Sequence, residues 1–136
     1  MASEIFNEYF SNEYGVEWPK LFESLQEEEK QIAFQPSQTP NLEDILVNIK
    51  KWDSSLYLSE ERSANNILLN YILDPASLVP VSALNVKPGD EVCDLCAAPG
   101  GKSLALLSQL NGQGRLVSND SSKDRYIRLK KVLNQY

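Results

Sequence analysis

Before Lys87 the apolar positions of this chain recur at helical spacing; after it, short apolar runs alternate with helical ones. Ile5, Phe6, Tyr9 and Phe10 lie in a short amphipathic run from Glu4 to Phe10 and are available for burial. Gly15 interrupts that run. Pro19 suits the first turn of a second helix through Leu21, Phe22 and Leu25. Gln35 to Pro40 reads as a polar linker. Asn41 can cap a helix with Leu42, Ile45, Leu46 and Ile49 on one face. Asp53 to Ser55 reads as a loop. Ser59, followed by Glu60 and Glu61, marks another helix start, and Ile67, Leu68, Tyr71 and Ile72 fall on one face of it. Asp74-Pro75 ends that helix. Pro80 fits the first turn of the next, with Val81 and Leu84 facing inward.

The second pattern opens at Lys87-Pro88-Gly89-Asp90, which has the proline and glycine of a type II turn at its centre. Glu91 to Leu95 then reads as a short strand. Ser103 to Leu110 reads as a helix with Leu104 and Leu107 packed on a sheet, closed by Gly112 and Gly114. Arg115 to Ser118 is a second strand, ending at Asn119-Asp120. Ser121 or Ser122 caps a last helix with an apolar stripe of Leu129, Val132, Leu133 and Tyr136. The order β-α-β-α is the start of an α/β, doubly wound parallel sheet, preceded by a helical region. The division implied is a helical N-terminal region over 1–60 and a ligand-binding half over 61–136. A parallel sheet is buried on both faces and is usually larger than two strands, and a bare edge invites aggregation. The expectation is an incomplete domain, the N-terminal part of a longer protein.

Composition narrows the class. The chain has 136 residues, 42% of them hydrophobic, as in a soluble globular protein. No apolar run is long enough to span a bilayer. Met1 to Phe6 lacks the features of a signal peptide or presequence, so a cytoplasmic protein is expected, with the mitochondrial matrix as the alternative. The net charge of −6 argues against strong nucleic-acid binding by this segment alone. Acid is concentrated early, as in Glu27-Glu28-Glu29, whereas Lys123, Arg125, Arg128, Lys130 and Lys131 make the last helix basic. That strip reads first as a solvated face and second as a weak RNA-facing one. Cys93 and Cys96 form a C-x-x-C. With no histidine in the chain, ordinary small buried residues are the better reading, and no metal is expected.

The chemistry is concentrated in Asp94-Leu95-Cys96-Ala97-Ala98-Pro99-Gly100-Gly101-Lys102-Ser103, between the first strand and its helix. Paired glycines permit close backbone approach, and a helix N-terminus offers free N–H groups. A phosphate-binding G-x-x-x-x-G-K-[ST] loop matches only at its end. Cys96 stands where that pattern needs its first glycine, and Pro99 removes an N–H. An adenosyl ligand without phosphates fits better. It needs a carboxylate at the end of the next strand for the ribose hydroxyls, and Asp120 stands about 20 residues beyond the glycines. Asp94 adds a second carboxylate, which a sulfonium tolerates and a pyrophosphate does not. The cofactor that fits is S-adenosyl-L-methionine. Asp120 alone would read as a helix cap.

With these residues the chain resembles the Nop/Sun family of RNA 5-methylcytosine methyltransferases. The resemblance runs from Tyr71 to the C-terminus, through Asp74-Pro75-Ala76-Ser77, Lys87-Pro88-Gly89-Asp90, Asp94 to Ser103, and Asn119-Asp120 through Arg125. Residues 1–60, with Phe6, Tyr9, Tyr14-Gly15 and Trp18-Pro19, resemble the family's short helical N-terminal region more weakly. The resemblance implies a Rossmann-like methyltransferase fold. It implies that Cys96, Ala97, Ala98, Pro99, Gly100, Gly101 and Lys102 cradle the methyl donor, that Asp120 holds its ribose, and that Arg125 fixes the adenosine end. It implies an rRNA or tRNA substrate, bound mostly by segments outside this chain. In the family a cysteine thiolate attacks carbon 6 of cytosine, and a second cysteine helps release the product. Those cysteines lie in Pro-Cys and Thr-Cys motifs further along than Tyr136, so none of these 136 residues is expected to be the nucleophile. The chain alone is then expected to be inactive. The competing reading is a non-catalytic S-adenosylmethionine-binding or scaffold module working with a partner.

Overall fold

The computed structural model describes residues 2–27, 31–36 and 62–136. The helix expected from Asn41, and the helix start expected at Ser59, lie outside the described residues.

Helices α1 (Ala2–Tyr14) and α2 (Trp18–Gln26) are joined by a 3₁₀ turn, Gly15–Glu17. Gly15 turns the chain with φ +53°, and Pro19 sits in the first turn of α2, where its missing N–H leaves no bond unmade. The pair meets through aromatic rings. Trp18 lies 5.1 Å from Phe10, 5.5 Å from Phe22 and 5.7 Å from Phe6, centroid to centroid. Trp18 is buried, but Ile5 and Tyr9 remain exposed, against expectation. Two helices share only one mutual face, and Trp18 fills it.

Strands β1 (Ile32–Phe34) and β2 (Tyr71–Leu73) pair antiparallel, with Ile32 opposite Leu73 and Phe34 opposite Tyr71. The helix expected through Ile67 and Ile72 does not form over its described part. Asn66 takes a left-handed φ of +62°, and the Ser63 hydroxyl accepts from the Ile67 N–H at 3.2 Å. These local bonds replace the helical ones. The aromatic and β-branched pair Tyr71-Ile72 then finds a partner in β1. Asp74 does not end a helix; its carboxylate caps a 3₁₀ turn, Pro75–Ser77, by accepting from the Ala76 N–H at 2.9 Å. Helix α3 (Leu78–Leu84) follows, burying Leu78 and Val81. Leu84 faces solvent rather than inward, because Asn85 ends the helix there in the left-handed region.

The turn at Lys87 forms as read: the Asp90 N–H donates to the Lys87 carbonyl at 3.1 Å, and Gly89 has φ +98°. It launches β3 (Glu91–Asp94), then α4 (Gly101–Leu110), β4 (Arg115–Ser118) and α5 (Lys123–Gln135). β3 and β4 pair in parallel, Glu91 with Arg115 through Asp94 with Ser118. A Cβ on Gly114 would lie 2.4 Å from the Asp90 carbonyl oxygen, so only glycine lets the two strand starts cross. Ser122 caps α5, accepting from the Arg125 N–H.

Alternation along the strands decides what is covered. Val92 and Leu116 pack against the buried cluster that contains Leu104, Ala105 and Leu106 of α4 and Ile32 and Phe34 of β1. Cys93, Leu95 and Val117 point the other way and are exposed. The expectation that Cys93 and Cys96 are buried is therefore wrong: Cys93 has the parity of the open face, and Cys96 lies on the outside of the loop. Leu107 is likewise exposed, and Leu106 and Leu110 take the inward positions on α4. On α5, Leu129 is 1% exposed and Val132, Leu133 and Tyr136 are half-buried, as the stripe predicts.

Candidate functional site

The loop between β3 and α4 is fixed by the residues that follow β4. The parallel ladder runs one step past the strands: the Asn119 N–H donates to the Asp94 carbonyl and the Ala97 N–H to the Asn119 carbonyl, each at 2.8 Å. Ala98 is then held on both of its backbone polar groups. Its N–H donates to Asp120 Oδ2 at 3.2 Å, and its carbonyl accepts from Arg125 Nη2 at 2.7 Å. Asp120 Oδ1 accepts from the Ser122 N–H at 3.0 Å, and Arg125 Nη2 stands 3.6 Å from Asp120 Oδ2. Asp120, with its side chain 3% exposed, thus ties the loop to the start of α5, while the Arg125 side chain remains 55% exposed. The methyl groups of Ala97 and Ala98 pack on Leu129 beneath.

The two loop glycines serve packing inside the protein. A Cβ on Gly100 would come 2.9 Å from Val132 Cγ1, and one on Gly101 would come 2.9 Å from the ring of Tyr71. Gly100 also has φ +126°, which side chains rarely adopt. Its carbonyl accepts from the Leu104 N–H at 2.9 Å and opens α4. The glycine pair therefore seats the loop between α5 and β2, with Pro99 exposed on its outer side. Burial pushes the Tyr71 phenol above its ordinary range, reinforced by the neighbouring Tyr136 hydroxyl. Tyr136 is raised by burial too, opposed by the Arg62 guanidinium, and donates to the Asn70 carbonyl at 3.1 Å.

At the other end of the loop, Lys102 Nζ reaches Ser77 Oγ at 3.4 Å, which brings the Asp74–Ser77 turn beside the start of α4. Ser103, fully buried, donates to Asp94 Oδ2 at 2.7 Å and accepts from Ser118 Oγ at 3.1 Å. The structure thus gathers Cys96 through Lys102, Asp120 and Arg125 into one place, with Asp94 under the loop. Reading the sequence misses Ser77, Ser118 and Tyr71 as neighbours of this site. Ser77 sits in a quoted motif, but nothing in its spacing places it beside Lys102. Among the described residues no group of three or more Cys, Asp or Glu side chains is arranged to hold a metal ion. No described helix is long and apolar enough to cross a membrane.

A parallel strand pair joined by this loop and helix is the opening of a Rossmann-like methyltransferase fold. Two solved structures share the fold over most of the chain. The methyltransferase homolog protein from Pyrococcus horikoshii has a TM-score of 0.63 at 21% identity, covering 90% of this chain and 45% of that one. The structure of PH0851 has a TM-score of 0.63 at 24% identity, covering 96% of this chain and 33% of that one. Residues 81–136 match the family model for the 16S rRNA methyltransferase RsmB/F. The 5-cytosine rRNA methyltransferase NSUN4 of Xenopus tropicalis is 43% identical over 107 residues, 74% of this chain and 26% of its own length. The mitochondrial tRNA (cytosine(34)-C(5))-methyltransferase of Danio rerio is 53% identical over 66 residues, 48% of this chain and 18% of its own. The chain belongs to the Nop/Sun (RsmB/F-type) family of RNA cytosine-5 methyltransferases, and it spans about a quarter or less of the length of these two relatives.

Proposed function

We propose that this chain carries the donor-holding part of an S-adenosylmethionine-dependent RNA cytosine-5 methyltransferase acting on rRNA, with tRNA as the second substrate class. One observation supports the cofactor assignment above the others: the backbone of Ala98 is held on both sides by Asp120 and Arg125. A loop held this way is preorganised to receive a ligand. The donor set suits an adenosyl sulfonium better than a nucleotide. The half-buried Asp94 beside the loop would repel a phosphate, and Pro99 offers no N–H to one. S-adenosylmethionine, when bound, supplies a methyl group activated by its positive sulfur.

The chain's own residues bind and orient. Cys96 to Lys102 form the wall, with Ala97 and Ala98 anchored on Leu129. Asp120 keeps a spare lone pair on each oxygen after its backbone bonds, but its side chain is only 3% exposed, so it would take a ribose diol only as the loop that covers it shifts. Arg125 stays partly exposed at the edge of the wall, where an adenosine would end. The exposed cations Lys123, Arg128, Lys130 and Lys131 on α5 suit a weak RNA contact. The division at about residue 60, into a helical part and a cofactor-binding half, belongs to the same reading. So does the compartment: cytoplasm, or the mitochondrial matrix, two tRNA-modifying relatives being named as mitochondrial.

Calorimetric titration tests the cofactor assignment. S-adenosylmethionine should bind the unaltered chain, and Asp120→Ala should weaken it at least tenfold by releasing the loop as well as the diol acceptor. Tighter binding of magnesium-ATP than of S-adenosylmethionine would refute it.

A further inference from the structure

The relay Ser118–Ser103–Asp94 has a direction. Ser118 donates to Ser103 at 3.1 Å, and Ser103 gives its own proton to Asp94 Oδ2 at 2.7 Å. A hydroxyl that accepts one bond and donates another is fixed in orientation, so the two serines together hold the Asp94 carboxylate in one direction. Ser103 is fully buried, and Ser118 and Asp94 are half-buried, so this is not a solvated surface pair. Among the described residues, Ser103 is the donor shown to the Asp94 carboxylate and no cation is shown paired with it; the Arg125 guanidinium is engaged with Asp120 and Ala98. A half-buried carboxylate without a counter-ion is costly. Here two serines fix its orientation, and it lies where β3 runs into the loop.

We propose that Ser103, backed by Ser118, is a positioning residue that aims the Asp94 carboxylate at the positive charge of the methyl donor. The inference rests on the S-adenosylmethionine reading above and extends it to residues that reading leaves out. The positive charge could be the sulfonium or the amino-acid ammonium. Three ligands separate them. S-adenosylmethionine carries both charges, S-adenosylhomocysteine only the ammonium, and 5′-methylthioadenosine neither.

The test is equilibrium binding of the three ligands to the full chain and to Ser103→Ala, Ser118→Ala and Asp94→Asn. Asp94→Asn keeps an acceptor for Ser103 and removes the charge, so it reports on the proposal even where Ser103→Ala folds poorly. For Asp94→Asn, S-adenosylmethionine affinity should fall about tenfold or more, while 5′-methylthioadenosine binding stays within about twofold. Ser103→Ala should show the same selectivity at smaller size, Ser118→Ala smaller still, and Ser103→Thr should restore it. If S-adenosylhomocysteine falls in step with S-adenosylmethionine, the ammonium is the partner; if only S-adenosylmethionine falls, it is the sulfonium. An equal fall for all three ligands, or none, would make the relay a strand-to-helix staple and overturn this inference alone. Failure of the unaltered chain to bind any of the three would overturn the cofactor assignment and this inference with it.

Discussion

The N-terminal helical pair and the β3-to-α5 segment are built from similar local signals, yet they are held in different ways. In the first, α1 and α2 meet at one ring cluster around Trp18, and Ile5, Tyr9, Val16 and Leu25 are left exposed. In the second, each element is tied to one distant in sequence. β3 pairs with β4, Asp120 and Arg125 hold Ala98, and Leu129 supports the loop from below. The difference teaches that good helix signals specify elements, whereas only contacts across the chain specify a site. The segment that carries the chemistry is the one whose backbone is fixed at long range.

The largest test of that contrast is Leu129→Ala. Leu129 is 1% exposed and packs against both alanines of the loop. Its truncation should cost about 2–5 kcal/mol in urea unfolding, as for a buried leucine that leaves a cavity. The loss should appear in the β3-to-α5 segment and should weaken S-adenosylmethionine binding as well. Unchanged binding would mean that the loop does not depend on α5.

Trp18→Ala should have a smaller and more local effect. Hydrogen exchange should show α1 and α2 losing protection, while the amides of β3, β4 and α5 keep theirs to within about 0.5 kcal/mol, as for sites that share no partners. An equal loss in both regions would show one cooperative unit and dissolve the contrast.

How much could be read beforehand follows the same division. The turn at Lys87 to Asp90, β4 from Arg115 to Ser118 and the cap at Ser122 rest on residues with one strong local preference, and all three form as read. The site residues Cys96 to Lys102, Asp120 and Arg125 are brought together as their motif suggests. What failed depends on partners that no local pattern reveals. Tyr71 and Ile72 fit a helical stripe, but β1 captures them as a strand. Cys93 has an apolar neighbourhood in sequence, but strand parity puts it on the uncovered face. The glycines were legible as close-approach positions, yet the bodies that approach them are Val132 and Tyr71. Residues so far apart in sequence meet only once the sheet and α5 are assembled.

The smallest expected effect lies where β2 touches the loop. The Tyr71 ring rests on Gly101 and meets Tyr136 edge-on at 5.3 Å. Burial raises the phenol above its ordinary value, so the folded state holds its proton more tightly than the unfolded chain does. The resulting stabilisation is complete below the ordinary tyrosine range, at about pH 10, and is lost as pH rises through the raised folded value. Tyr136 acts in the same direction. Tyr71→Phe keeps the ring on Gly101 and removes the ionisable hydroxyl. Stability measured against pH should therefore fall less steeply for Tyr71→Phe than for the unaltered chain on the alkaline side, with the two curves parallel near neutrality. Curves that stay parallel above the tyrosine range would show that this ring is not desolvated by the loop, and that β2 supports the site by shape alone.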